Sequence, residues 1–208
     1  MEIRLNNIAK HFGREVVFQN VDLTLASGSR TAILGPNGSG KSTLLQVIGG
    51  AIIPTKGTIE HRLNGERLVP QEEVYRHVAI ASPYLGLYEE LSLAQIIEFH
   101  RGFKPLRAGL GVQDVARIAY LEQALEKPVQ HFSSGMKQRL KLALAILSDT
   151  PLLLLDEPAS NLDADAIAWY RELLGKHLDG RTLLVASNRQ AAEHDFCTAQ
   201  VEVGNYKA

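Results

Sequence analysis

The chain has 208 residues, enough for one large α/β domain or a core with a subdomain, and enough to bury a sizeable hydrophobic core. Lys and Arg number 22 against 23 Asp and Glu, a net charge of -1 that favours neither nucleic acid nor an acidic membrane surface as a partner. The single cysteine, Cys197, excludes an internal disulfide, fits a reducing compartment and reads as a small buried apolar residue. Met1-Glu2-Ile3-Arg4 carries no signal-peptide pattern, and no apolar run approaches the ~18 residues that cross a bilayer. A membrane role is therefore expected to come through a partner.

Residues 2–7 and 15–25 read as strands, with Val17, Val21, Leu23 and Leu25 in alternation. Ala26-Ser27-Gly28-Ser29 is a turn, and residues 30–34 form a strand that runs into Gly35-Pro36-Asn37-Gly38-Ser39-Gly40-Lys41-Ser42-Thr43. This segment is a phosphate-binding loop, G-x-x-x-x-G-K-[ST], in the strand-loop-helix setting it requires. Its glycines let backbone N–H groups turn inward onto phosphate oxygens. Lys41 supplies a cation for the outer phosphates, and Ser42 offers a hydroxyl to Mg²⁺. The helix from Lys41 to Ile48 aims its free N–H groups and dipole at the same anion, and Gly49-Gly50 stops it.

Pro54-Thr55-Lys56-Gly57 turns into a strand near 58–63, Asn64-Gly65 is a hairpin-type turn, and a further strand ends near Ser82-Pro83. Residues 84–132 then become helical, with helices expected over Leu91 to His100 and Val112 to Leu125. A helix follows from about Ser134 to Leu147. Leu152-Leu153-Leu154-Leu155, bounded by Pro151 and Asp156, reads as a central strand covered on both faces. Asp163 to Lys176 is a helix, Thr182 to Ala186 a strand, Gln190 to His194 a short helix, and 199–203 a last strand. Strands alternating with helices give a mostly parallel sheet and an α/β fold.

Asp156 and Glu157 close the leucine strand, at the carboxyl end where such sheets place ligand chemistry. Asp156 is suited to hold Mg²⁺, and Glu157 to orient or deprotonate an attacking water. A pair of helix-capping acids would look the same in isolation. Beside a phosphate loop, the nucleotide role is the stronger reading.

Phe132-Ser133-Ser134-Gly135-Met136-Lys137-Gln138-Arg139-Leu140 resembles the signature motif of ATP-binding cassette (ABC) proteins, and Leu152 to Asp163, LLLLDEPASNLD, resembles that family's second nucleotide motif and D-loop. Order and spacing agree over essentially the whole chain. The resemblance implies one ABC ATPase domain over 1–208: a P-loop NTPase core, an antiparallel β-subdomain and a helical subdomain inserted at about 84–148. The chain ends at Ala208 just past its last strand, so no added regulatory domain is expected.

By the same resemblance, Ser133, Ser134, Gly135 and Met136 close over the γ-phosphate held by a second copy, and Asp163 communicates across that interface. Both segments also suit ordinary N-caps, which is compatible with those roles. Phe12 occupies the place of an adenine-stacking aromatic; its rival, Phe18, looks like strand core.

Two positions depart from the family pattern. The glutamine expected before Leu87-Tyr88-Glu89-Glu90-Leu91-Ser92 falls on Pro83, which has no side-chain ligand, with the Ser82 hydroxyl beside it. The position of the switch histidine is Asn188, whose amide can donate to a phosphate oxygen but carries no charge and passes no proton. His194 is the nearest histidine and is expected to point away. The remaining histidines, His61 and His100 among them, lack metal-ligand spacing and read as surface or turn residues.

The resemblance thus implies a cytoplasmic ATPase that uses ATP and Mg²⁺. It would lie peripherally on the inner face of the cell membrane and power a separate permease by ATP-driven dimerisation. Lys41, Glu157 and Asn188 are its candidate catalytic residues, and Ser42 and Asp156 its metal ligands. The segment Tyr84-Leu85-Gly86-Leu87-Tyr88 is a candidate partner site, and core packing accounts for it equally well. The G-M-K-Q-R-L form of the signature resembles small exporter subunits. The alternatives are a slow or non-hydrolysing regulatory subunit of a heteromer and a soluble non-transport ABC ATPase. No nucleic acid partner is expected.

Overall fold

The computed structural model describes residues 1–178 and 180–207; Asp179 and the chain's end at Ala208 lie outside them. The elements run β1 (Glu2–Phe12), β2 (Glu15–Leu25), β3 (Arg30–Leu34), α1 (Lys41–Ile48), β4 (Lys56–Leu63), β5 (Arg67–Leu68) and β6 (Val78–Ala81). They continue α2 (Leu93–Phe103), α3 (Val112–Ile118), α4 (Ser134–Leu147), β7 (Leu152–Asp156), α5 (Ala164–Lys176), β8 (Thr182–Ser187), α6 (Ala191–His194) and β9 (Ala199–Glu202).

Two sheets form. One is antiparallel, in the order β2-β1-β4-β5; the other is parallel, in the order β6-β7-β8-β3-β9. The parallel register aligns Ala81 with Leu155, Asp156 with Ala186, and Leu34 with Ser187. The segments leaving β6, β7, β8 and β3 therefore emerge along one sheet edge, which is the ligand edge of an open α/β sheet.

The leucine run of β7 divides between two cores, as period-two side chains must. Leu153 and Leu155 join Leu183 and Val185 under α2 to α5, while Leu152 and Leu154 join Leu184 and Ala186 beneath α1 and the antiparallel sheet. All four leucines are fully buried, so truncation of any one to Ala should cost about 2–5 kcal/mol. This double coverage holds the strand ends still.

Three expectations are corrected by the structure. The second helix starts at Leu93, because Ser92 caps it in a reciprocal capping box with Gln95, and it runs on to Phe103. The third stops at Ile118 instead of reaching Leu125. Tyr120 takes a left-handed φ of 57°, and the Tyr120 and Leu121 amides donate back to the Arg117 and Ala116 carbonyls, closing a Schellman end. His61 and His100 are not surface residues: His61 is 1% exposed against the Ile48 carbonyl, and His100 is half-buried against Ser148.

Candidate functional site

Gly35 to Gly40 wraps from β3 to α1 at the sheet's ligand edge. Gly40 sits at the N-terminus of α1 with φ 99°, and a Cβ there would lie 2.7 Å from Val17 Cγ1. Only glycine avoids both penalties. The loop walls a cavity of about 320 Å³. Asn37 to Thr43, Phe12, Glu15, Tyr84 and Glu157 all face this cavity.

Lys41 is 4% exposed; its ammonium donates to the Pro36 carbonyl at 3.1 Å and lies 3.8 Å from Glu157 Oε1. A buried cation beside the loop's free amides makes an anion site. Gly35 is buried at the end of β3, while Pro36, Asn37 and Gly38 are exposed on the crest of the loop.

Asp156 is buried at the end of β7. Its Oδ2 accepts the Ser82 hydroxyl at 3.0 Å, and its Oδ1 is buried with no hydrogen-bond partner among the described residues. Burial pushes its pKa up; the neighbouring Ser42 and Ser82 hydroxyls and the Lys41 ammonium pull it back. Ser39 Oγ is likewise buried and unpaired. Buried oxygens with open lone pairs, one at the end of β7 and one in the loop after β3, are a ligand-binding arrangement.

Glu157 holds a left-handed φ of 44°, uncommon for a residue with a side chain, while its N–H donates to the Ala186 carbonyl at 2.9 Å. Such strain costs of order 1–3 kcal/mol and marks a place where side-chain direction matters more than backbone comfort.

Among the aromatics, Phe18 is fully buried in the core, whereas Phe12 is 51% exposed on the cavity wall with the Lys10 ammonium 4.9 Å from its ring. Tyr84 and Tyr88 of the candidate partner segment part company: Tyr84 faces the cavity of the phosphate loop and Tyr88 stacks edge-on to Phe99 elsewhere. Glu15 and Tyr84 are cavity residues that the motif reading missed, since neither stands in a motif. Pro83 and Ser82 form the turn after β6, pinned by Lys141, whose ammonium donates to both carbonyls.

Ser133 caps α4 by accepting the Met136 N–H at 3.2 Å, and Ser133 and Ser134 are exposed. A Cβ on Gly135 would lie 3.3 Å from the Asn161 carbonyl, and Gln138 donates to the Pro158 carbonyl. The α4 start therefore packs beside the loop after β7, and Ser133 to Met136 do not line the cavity with the phosphate loop. Asp163 is exposed and caps α5 through the Ala166 N–H at 2.8 Å. Asn188 is exposed just past β8. His194 does not line the cavity.

A family model described as ABC transporter matches residues 18–160. The cytochrome c biogenesis ATP-binding export protein CcmA of Rhizobium etli is 32% identical over 91% of this chain and 89% of its own length. The Fe(3+) ions import ATP-binding protein FbpC of Mesorhizobium japonicum is 35% identical over 97% of this chain, which spans 57% of that protein. MJ0796, a bacterial ABC transporter cassette solved as a dimer, superposes with a TM-score of 0.81 at 26% identity, covering 97% of this chain and 95% of that one. With the family model spanning more than half of the chain and the P-loop NTPase fold shared, this chain belongs to the ABC transporter family as one of its ATP-binding, ATP-hydrolysing cassettes.

Proposed function

We propose that the chain powers a separate membrane permease in the export direction: two copies close on ATP, hydrolyse it and part. The observation that carries this reading is the cavity itself. It gathers the phosphate loop and Glu157 and leaves the Ser133–Met136 helix start outside, with Ser133 and Ser134 exposed to meet a nucleotide held by another subunit. Hydrolysis of a phosphoanhydride depends on positioning and charge stabilisation, which the loop amides, Lys41 and Glu157 are built to supply.

In this reading Lys41 and the amides of Gly35 to Thr43 hold the β- and γ-phosphates. Phe12 stacks on the base. Glu157 orients the attacking water and takes its proton, and Asn188 donates to a γ-phosphate oxygen. The oxygen set of Ser42 and Asp156, with Asp156 Oδ1 buried and unpaired, fits a hard divalent cation such as Mg²⁺. When bound, that ion would neutralise charge on the β- and γ-phosphates. Asp163 faces the partner cassette.

Residues 84–148 serve as a helical subdomain, and the permease docks on it. Its seat is an apolar groove of about 180 Å³ beside the row Tyr88, Phe99 and Phe103, whose rings stack at 5.1 and 4.9 Å. No helix among the described residues is long and apolar enough to cross a membrane, which agrees with attachment to the cytoplasmic face through that partner. The export direction draws on the likeness to CcmA, an export protein matched over nearly its full length.

The test is steady-state ATP hydrolysis by the purified chain, with affinity capture from solubilised native membranes. The rate should rise more than linearly with protein concentration, and a polytopic membrane protein should co-purify. Tight ATP binding without turnover, even beside that partner, would favour the regulatory reading, for which Pro83 and Asn188 are the motivating residues.

A further inference from the structure

Glu193 is a buried carboxylate that the hydrolytic scheme does not use. It lies in α6, is 2% exposed, and sends each side-chain oxygen to a different segment. Oε2 accepts the Ser187 hydroxyl at 2.5 Å, and Oε1 accepts the Ala159 N–H at 3.0 Å. The Ser187 oxygen also accepts the Gln190 N–H at 3.1 Å, so its one proton is committed to Glu193. The Glu193 carbonyl accepts the hydroxyl of fully buried Tyr170 at 3.2 Å, which fixes α6 to α5.

The two segments so joined are those that carry the candidate catalytic groups. Ser187 directly precedes Asn188, and Ala159 lies two residues after Glu157. A second tie, the 2.9 Å bond from the Glu157 N–H to the Ala186 carbonyl, joins the same strand ends. Together the ties make a closed frame in which neither segment shifts alone.

Stability alone does not call for an acid here. A buried carboxylate is costly to desolvate, and here that cost is offset by the bonds from Ser187 and Ala159 that join the two segments. Asp156 and Glu157 add like charge; burial, the larger effect, also pushes the Glu193 pKa up against the bonds from Ser187 and Ala159.

We infer that Glu193 is a positioning residue for hydrolysis, clamping the segment that carries Glu157 to the strand end that carries Asn188. The inference rests on the roles proposed above for those two residues. A misplacement of about 1 Å at a reacting group costs up to 10²-fold in rate, which sets the expected scale.

The test uses the full-length chain and measures kcat, KM for ATP and equilibrium nucleotide affinity, with thermal melting as a check of folding. Glu193→Ala should lower kcat roughly 30-fold, within the range of such misplacement, and leave KM and nucleotide affinity within about twofold. Glu193→Gln keeps an oxygen for the Ala159 N–H and should recover to within about threefold of the parent kcat. Ser187→Ala, which breaks only one arm, should lose roughly tenfold at unchanged KM, and it decides the matter if Glu193→Ala does not fold. A folded Glu193→Ala with parental kcat would overturn the clamp, as would a Gln variant as impaired as the Ala variant. A parent chain without turnover would instead overturn the functional reading beneath it.

Discussion

Ser82 and Asp156 stand 74 residues apart in sequence, yet the Ser82 hydroxyl donates to Asp156 Oδ2 at 3.0 Å. The parallel pairing of β6 with β7 brings them together, and it leaves Asp156 Oδ1 as the open oxygen. The turn that lacks the family's glutamine thus still reaches the candidate metal site, one residue earlier and through a shorter side chain.

Removing that hydroxyl should loosen the metal site more than the nucleotide site. Partners that orient a metal ligand typically matter by 10–100-fold in affinity, so Ser82→Ala is expected to raise half-saturating Mg²⁺ by roughly tenfold. ATP affinity measured in chelator should stay unchanged. Titration of ATPase activity and of bound Mn²⁺ checks both halves.

Phe12 and Phe18 should separate cleanly. Phe12→Ala removes a half-exposed cavity wall and is expected to weaken ATP binding by about 0.5–1.5 kcal/mol with little change in melting temperature. Phe12→Tyr keeps the π-face and should bind like the parent. Phe18→Ala opens a core cavity and should cost about 3–5 kcal/mol of stability.

The loop glycines differ in their tolerance. Gly40 and Gly38 both have positive φ, but only at Gly40 would a Cβ collide, 2.7 Å from Val17 Cγ1; Gly38 has open space around it. Gly38→Ala should cost about 1–2 kcal/mol for its backbone alone. Gly40→Ala should cost more and should also lose ATP binding, because the collision displaces the start of α1. Chemical denaturation and nucleotide titration distinguish the two.

His100 predicts an acid-sensitive fold. Its Nε2 lies 2.8 Å from Ser148 Oγ, whose own proton goes to the Leu144 carbonyl, so Nε2 carries the proton of a neutral ring. Burial first, and then the Lys104 ammonium, lower its pKa from 6.5 to about 4. Between those values the unfolded chain binds a proton that the folded chain refuses, so stability falls as pH drops through that window. The loss is on the order of 3 kcal/mol by pH 4. His100→Gln should flatten this part of the pH profile in urea denaturation.

The motifs make the ligand edge legible in the sequence itself. Gly35 to Thr43 and the Leu152–Asp163 run each carry their own structural setting, and the burial of Leu152 to Leu155 on both faces of the sheet follows from an unbroken apolar run. Helix ends were harder. The stop at Ile118 comes from Tyr120 in a left-handed conformation, which glycine or asparagine would have signalled and tyrosine does not. His61 reads as a surface or turn residue, and only the Ile48 carbonyl 2.7 Å away explains its burial. Glu15, Tyr84 and Glu193 acquire meaning only once distant segments meet, so no local pattern could have marked them.

Closure of two copies over ATP is the central claim, and sedimentation of Glu157→Gln tests it most directly. Without the carboxylate to position water, the 22.9 kDa chain should remain a monomer in nucleotide-free buffer and shift to twice that mass on addition of Mg²⁺ and ATP. Ser134→Arg on the same background should abolish the shift while ATP still binds. A Glu157→Gln chain that saturates with ATP and stays monomeric at every concentration would contradict the account.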